Sequence, residues 1–483
     1  MGEVKGATGI SSKEKLILAS IVLGTFMASL DATIVAVALP TIASEFSISG
    51  STGDVSWILL GYTLALCCLI LLWGKIGSNV GYKKLFITGV LIFTVMSGLI
   101  GLTETLSLGG LNGMILMRVV QGVGAGMVTS MGLAMVSTYL PQSKGTAIGI
   151  ITLAASAGTA FGPVLGGVLC YFDWTYIFFI NVPIGLFCIL LSMKSMADVK
   201  EVREQKQKLD IVGVVMMVIM MFTAIYYLNT ARDIGWTSDT GLLLITVAMV
   251  FAGLLIWWER RNANPLISVR LMGLKDLVMG NITCLLIFSA MAGSYLLLPY
   301  YLECVLGYST VEMGLILVAN SLGMMVVGTT VGRISDRTGI NNRMVSAGCL
   351  IAALGFFIMT RFDAETSLIL ILSALFVMGM GVGITLVAGT NLCMGYAKEG
   401  ENGVMSGLIN TFRQAGSTAG VAILESVFAA SIVIPSIMPD NLDWLMSGFR
   451  PAFFIAVMIC LLAFIVSTFV RDKKTRDGAP IDQ

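Results

Sequence analysis

The chain has 483 residues, 57% of them hydrophobic and only 12% charged, with a formal net charge of +1. A soluble domain carries roughly 25% charged residues, so the composition excludes an ordinary water-soluble fold, and the balanced charge gives no reason to expect nucleic acid as a partner. Histidine is absent and no C-x-x-C pair occurs among the nine cysteines, which argues against haem, histidine–metal and zinc sites and a disulfide framework, and leaves proton chemistry to Asp and Glu.

Apolar runs long enough to cross a hydrocarbon core of ~30 Å predict fourteen transmembrane helices. In chain order they cover 16–39, 55–76, 85–103, 111–137, 145–170, 175–196, 211–229, 240–258, 276–301, 311–332, 343–361, 366–392, 403–431 and 449–470. The first follows Lys5, Lys13 and Lys15 and is too long for a signal-peptide core, so it reads as a retained span. With the N-terminus in the cytoplasm and sides alternating, cytoplasmic segments hold 24 of the 29 Lys and Arg residues. Outer loops hold Arg232, Arg361 and Arg450, and Arg118 and Arg413 fall within spans. That asymmetry predicts an even number of spans and two cytoplasmic termini in the plasma membrane.

Spans one to six repeat as spans nine to fourteen. The segment Gly74-Lys75-Ile76-Gly77-Ser78 matches Gly332-Arg333-Ile334-Ser335-Asp336 at an offset of 258, as does Ala157-Gly158-Thr159-Ala160-Phe161-Gly162 with Ala415-Gly416-Ser417-Thr418-Ala419-Gly420. An even number of spans separates the copies, so they share one orientation. Parallel repeats of this kind are an architecture of secondary transporters, with the substrate at the interface of the halves. The predicted fold is therefore an all-α polytopic membrane protein with two parallel six-helix bundles and two inserted central helices. The expected divisions are a cytoplasmic N-terminus (1–15), an N-terminal bundle (16–197), a cytoplasmic loop with the two extra helices (198–258), a linker (259–275), a C-terminal bundle (276–470) and a cytoplasmic tail (471–483).

Several polar groups inside these spans are candidates for mechanism. Asp31 lies in the first span, roughly 22 Å above the cytoplasmic side at 1.5 Å per residue. Its stripe holds Gly24, Ala28 and Val35, a slim face suited to line a cavity, and its repeat mate Ser289 cannot titrate. Arg118 lies roughly 13 Å deep in the fourth span, on a stripe with Gln121. Buried ionisable groups in a bilayer are costly and normally have a partner or face a cavity. Arg413 and Gln414 lie in the thirteenth span, and Glu425 lies nearer its outer end. The fifth span carries Ala154, Gly158, Gly162 and Gly166 at fourfold spacing, then Gly167, with Pro163 between. This smooth face suits either close packing or a bending surface. The short basic turns with Gly74, Ser78, Gly81 and Lys83, and with Gly332, Asp336, Arg337 and Gly339, suit loops that latch onto helix ends.

Together these residues resemble the major facilitator superfamily, specifically its fourteen-span drug:proton antiporter branch. Leu30-Asp31-Ala32-Thr33-Ile34-Val35-Ala36-Val37-Ala38-Leu39-Pro40 resembles the first-span signature of that branch, and Arg118-Val119-Val120-Gln121-Gly122-Val123-Gly124 its fourth-span motif. Gly158-Thr159-Ala160-Phe161-Gly162-Pro163-Val164-Leu165-Gly166-Gly167 resembles its antiporter motif, and Trp174 through Asn181-Val182-Pro183 the start of its sixth span. The resemblance implies proton-coupled export of hydrophobic or cationic small molecules by a monomer, with Asp31, Arg118 and Glu425 in proton coupling and Gln121, Arg413 and Gln414 on the substrate pathway. It implies no cofactor, no metal and no enzymatic activity. Ser78 departs from the family's usual Asp, which its copy Asp336 retains, so the N-terminal latch is expected to be the weaker one. Metabolite export or nutrient uptake by the same fold is the second reading. A respiratory proton-pump subunit fits less well because the spans lack histidines and embedded lysines. A sensor or structural protein would not need buried Arg and Asp.

Overall fold

The computed structural model describes residues 11–46, 52–103, 105–106, 108–197, 209–235, 237–262, 265–266, 269–398, 401–431 and 443–471. Lys5, Lys200, Arg203, Lys206 and the basic tail beyond Arg471, all used in the topology argument, lie outside the described residues. Among those described there is no strand. The N-terminal half consists of α1 (Ser12–Glu45), α2 (Thr52–Val80), α3 (Tyr82–Gly101), α4 (Gly110–Tyr139), α5 (Lys144–Phe172), the short α6 (Tyr176–Phe179) and α7 (Asn181–Ser195). The insert is α8 (Ile211–Ile234) and α9 (Asp239–Glu259), followed by the short α10 (Val269–Met272). The C-terminal half is α11 (Lys275–Tyr300), α12 (Thr310–Thr338), α13 (Asn341–Met359), α14 (Leu368–Gly395), α15 (Asn402–Ser431) and α16 (Asp443–Thr468).

Thirteen helical stretches among the described residues are long and apolar enough to cross a membrane. Twelve of the predicted runs match one helix each, and the sixth is carried by α6 and α7 together. The remaining run is α15, which at 30 residues is long enough but is diluted by Asn410, Arg413, Gln414 and Glu425. Its packing against α11, α2, α4 and α16 supplies the environment its sequence alone does not advertise.

The packing repeats as the sequence does. In the first bundle α1 packs on α5 and α7, and α4 on α2 and α3; in the second α11 packs on α15 and α16, and α14 on α12 and α13. The bundles meet along two equivalent seams, α5 against α12 and α15 against α2. Local sequence sets the ends of several helices. Ser309 and Glu312 form a reciprocal capping box at the start of α12, and Ser238, Ser367 and Asp210 cap α9, α14 and α8, each satisfying amides that a helix start leaves open. Gly81 and Gly339, equivalent in the repeat, take φ of 114° and 65° in the tight turns after α2 and α12, a conformation that a side chain disfavours.

The insert sits at the edge of the bundles, with Met217 and Ile225 of α8 buried against them. α8 lies across the α2–α15 seam, with Tyr226 stacked on Trp57 of α2 at 5.7 Å. The 259–275 linker is docked on both halves. Lys75 Nζ donates to Pro265 O at 3.2 Å, and Arg270 Nη2 donates to Tyr396 O at 3.1 Å.

Candidate functional site

Asp31, Arg118, Gln121, Ser97 and Asn181 form one polar cluster inside the N-terminal bundle, each of them 0% exposed. Arg118 Nη1 donates to Asp31 Oδ2 at 2.7 Å and to Gln121 Oε1 at 2.6 Å. Gln121 Nε2 donates to Ser97 Oγ at 2.6 Å and to Asp31 Oδ1 at 3.3 Å. Asn181 Nδ2 donates to the same Asp31 oxygen at 3.0 Å. On the far side, Arg118 Nε donates to Ile58 O at 3.2 Å, and the guanidinium lies 4.3 Å from the Tyr62 ring centre, a cation–π contact that matters most where water is excluded. Two acceptor or donor atoms remain idle: Asn181 Oδ1 and Arg118 Nη2 are buried without partners.

The local reasons are visible in the helices. α4 presents Arg118 and Gln121 one turn apart, so both reach the same carboxylate. The break at Ile180 between α6 and α7 puts Asn181 at the first position of α7, and Pro183 follows in the first turn, where no amide partner is needed. The Asp31 face of α1 is packed rather than open to a cavity. A Cβ on Gly24 would meet Phe86 Cζ at 2.8 Å and Val128 Cγ1 at 3.2 Å, so the slim stripe serves close contact with α3 and α4. Gln121 likewise lies in the sealed cluster. Asn181, Ser97 and Tyr62 were not singled out from the sequence; only Asn181 fell in a motif, and nothing local marks the other two.

Close glycine contacts near the two basic turns bring both seams together at one end. On one, the Gly145 and Gly332 backbones touch, and a Cβ on Gly145 would lie 2.6 Å from Gly332 O. On the other, Gly74 and Gly403 abut in the same way, and a Cβ on Gly407 would lie 2.9 Å from Leu71 Cα. The two pairs are related by the 258-residue repeat. Asp336 accepts from Gly145 N at 2.6 Å, Thr146 N at 2.9 Å and Thr146 Oγ1 at 3.0 Å. A carboxylate thus caps the N-terminus of α5 from across the seam, where the helix dipole favours negative charge. The equivalent Ser78 turns back onto its own helix, donating to Lys75 O at 3.0 Å. Tyr82 replaces it, accepting from Gly403 N through its hydroxyl at 3.1 Å. Lys83 Nζ donates to Met196 O at 2.5 Å, tying the turn to the end of α7. Arg337 is exposed.

The glycine face of α5 lies within its own bundle. Cβ atoms on Gly158 and Gly162 would strike the α1 backbone, at 2.6 Å from Phe26 O and 3.1 Å from Ile34 N, respectively. Gly166 is buried and Gly167 half-buried beyond them, and Pro163 sits within the helix. The opposite face of α5 meets α12, where Ser321 Oγ donates to Ser156 O at 2.9 Å. In the C-terminal half, Arg413 donates from Nη2 to Thr390 Oγ1 and stands 5.5 Å from the Phe288 ring centre. Gln414 reaches Cys67 of α2 across the seam. Glu425 is half-buried, three turns further along α15. Among the described residues no group of three or more His, Cys, Asp or Glu is placed to hold a metal.

Two bundles related by the repeat, packed along two equivalent seams around a buried ion pair, fit a membrane transporter rather than an enzyme. The Major Facilitator Superfamily model matches residues 21–421, and the chain belongs to that family. Among curated relatives, it is 31% identical over 411 residues to the multidrug resistance protein Stp of Mycobacterium tuberculosis, covering 84% of this chain and 74% of that one. It is 30% identical over 439 residues to the tetracenomycin C resistance and export protein of Streptomyces glaucescens, covering 90% and 79%. It is 27% identical over 460 residues to the riboflavin transporter RibZ of Clostridioides difficile, covering 95% and 98%. The human organic anion transporter MFSD10 shares the fold with a TM-score of 0.67 at 14% identity, covering 95% and 100% of the two chains.

Proposed function

We propose that this transporter exports hydrophobic organic molecules in exchange for protons by alternating access, with both termini in the cytoplasm. The observation that carries the reading is the Asp31–Arg118 ion pair, enclosed at 2.7 Å within the N-terminal bundle. Enclosing two charges is expensive, and a hydrophobic pair of similar size would often stabilise a fold as well. A pair of this kind in a bilayer is a functional hypothesis by default. Sequence placed hydrophobic or cationic substrates side by side; the engagement of Asp31 by Arg118, Gln121 and Asn181 favours the hydrophobic class, because that carboxylate is not open to a cation.

The cluster has a way to register a proton. Protonated Asp31 acquires an O–H that needs an acceptor, and Asn181 Oδ1 is buried beside it with no donor. Half a turn of the Asn181 amide supplies that acceptor and withdraws the Nδ2 donor. Loss of the carboxylate charge also releases Arg118 from its one ionic partner. Through α1 the change reaches α5, and α5 forms one of the two gated seams.

The relatives that are named for drug resistance and export support this reading; the relative named for riboflavin keeps vitamin or metabolite movement as the second one. The test is substrate-induced proton release from everted vesicles containing Asp31→Asn at the wild-type protein level. Release should vanish although the protein inserts. Exchange at the wild-type rate would move coupling elsewhere, with Glu425 next in line.

A further inference from the structure

Of the two arginines within the spans, Arg118 is neutralised by Asp31. Arg413 forms no ion pair with any described carboxylate and makes a single hydrogen bond, to Thr390 Oγ1. Its Nε is buried without a partner. The residue as a whole is half-buried where Arg118 is 0% exposed, while its hydrogen-bond partner Thr390 is itself buried. Packing of the repeat does not demand a charge here, because the equivalent residue of α5 is Ala155. An unbalanced cation at this depth is costly enough in a bilayer to need a use.

Its position supplies one. Gly403 and Gly407 of α15 are pinned against Gly74 and Leu71 at the closed end of the seam. Arg413 lies six residues further along the same helix, roughly 9 Å beyond that closure. Its neighbour Gln414 faces α2 across the seam. A ligand held here would sit on the floor formed by the closed gate and would change sides when the gate opened. A guanidinium is a planar fork of five donors that matches a carboxylate or sulfonate in two-point contact, and four of these donors are uncommitted. The Phe288 ring beside it offers an apolar, aromatic wall.

We propose that Arg413 anchors a substrate subsite for the acid group, carboxylate or sulfonate, of an otherwise hydrophobic aromatic molecule. Thr390 orients the guanidinium, Phe288 packs the aromatic body, and Gln414 bounds the site toward α2. The proposal rests on the exporter reading and narrows its substrates to organic anions.

The test is equilibrium binding of two fluorescent probes to the protein in phosphatidylcholine nanodiscs, corrected for empty discs. One is 8-anilino-1-naphthalenesulfonate; the other is its uncharged parent, N-phenyl-1-naphthylamine. Arg413→Gln should weaken the sulfonate at least tenfold and leave the uncharged amine within twofold, with Arg413→Lys between them. An unchanged sulfonate affinity overturns the proposal, and so does an equal loss of both probes, which marks Arg413 as a packing residue. No proton gradient enters this measurement. Proton release from Asp31→Asn vesicles is a separate readout, so failure of proton coupling is read apart from failure of the anion site.

Discussion

Asp336→Asn should open the α5–α12 gate. In the closed gate the carboxylate takes three hydrogen bonds from the first turn of α5, at 2.6, 2.9 and 3.0 Å. Asparagine keeps one acceptor oxygen, turns a donor toward the helix amides and removes the charge facing the dipole. A partly buried charge–dipole contact contributes up to ~2 kcal/mol, and a hydrogen bond to a charged group contributes about 1.5–3 kcal/mol. Asp336 is half-buried, and water restores part of both terms once the gate parts, so a net cost of about 2 kcal/mol to the closed state is the working figure. At 1.4 kcal/mol per decade that is a roughly 30-fold shift of the closed-to-open ratio. Spin labels at exposed Gln142 and Thr338, with Cys170 and Cys304 replaced by Ser, report the separation across the seam by double electron–electron resonance. A distance distribution identical to that of the unsubstituted protein would refute the capping argument, and a shift confined to α12 without movement of α5 would do the same.

The companion substitution Ser78→Asp should act in the opposite sense. It offers α15 the carboxylate that α5 already receives, strengthening the closed gate by about 1 kcal/mol and slowing transport turnover without lowering protein level. Gly162→Leu should abolish transport while preserving insertion, because the added side chain strikes the α1 backbone near Ile34 and small residues govern close approach in lipid; normal transport at normal membrane level would show the glycine to be incidental. A reporter fused at the C-terminus should be active only in the cytoplasm, since basic residues sort so strongly to one side. A periplasmic signal would refute the assigned orientation.

The polar cluster shows where sequence reading stops. Asp31 and Arg118 are conspicuous in the sequence because each is a charge in an apolar run. Ser97 and Tyr62 are unremarkable residues on α3 and α2, and become functional candidates only when those helices converge on the pair. The slim face around Asp31 has two possible uses, cavity or close packing. Periodicity is the same for both, and only the positions of Phe86 and Val128 decide between them. α15 is similar: its polar residues lower the hydropathy, and the interior contacts that make those residues acceptable are long-range.

Sequence by itself determined where the apolar spans lie, the parallel repeat and the tight turns that follow α2 and α12. These follow from local quantities, namely the apolar length needed to cross a bilayer and the backbone freedom of Gly81 and Gly339. Tertiary structure alone decided the cross-pairing of Gly74 with Gly403 and Gly145 with Gly332. It also gave Tyr82 the capping role that Ser78 left vacant, and left Arg413 without an ionic partner among the described residues while Arg118 has one. Each of these is a relation between helices far apart in the chain, and it is fixed by how two bundles pack rather than by what any one segment prefers.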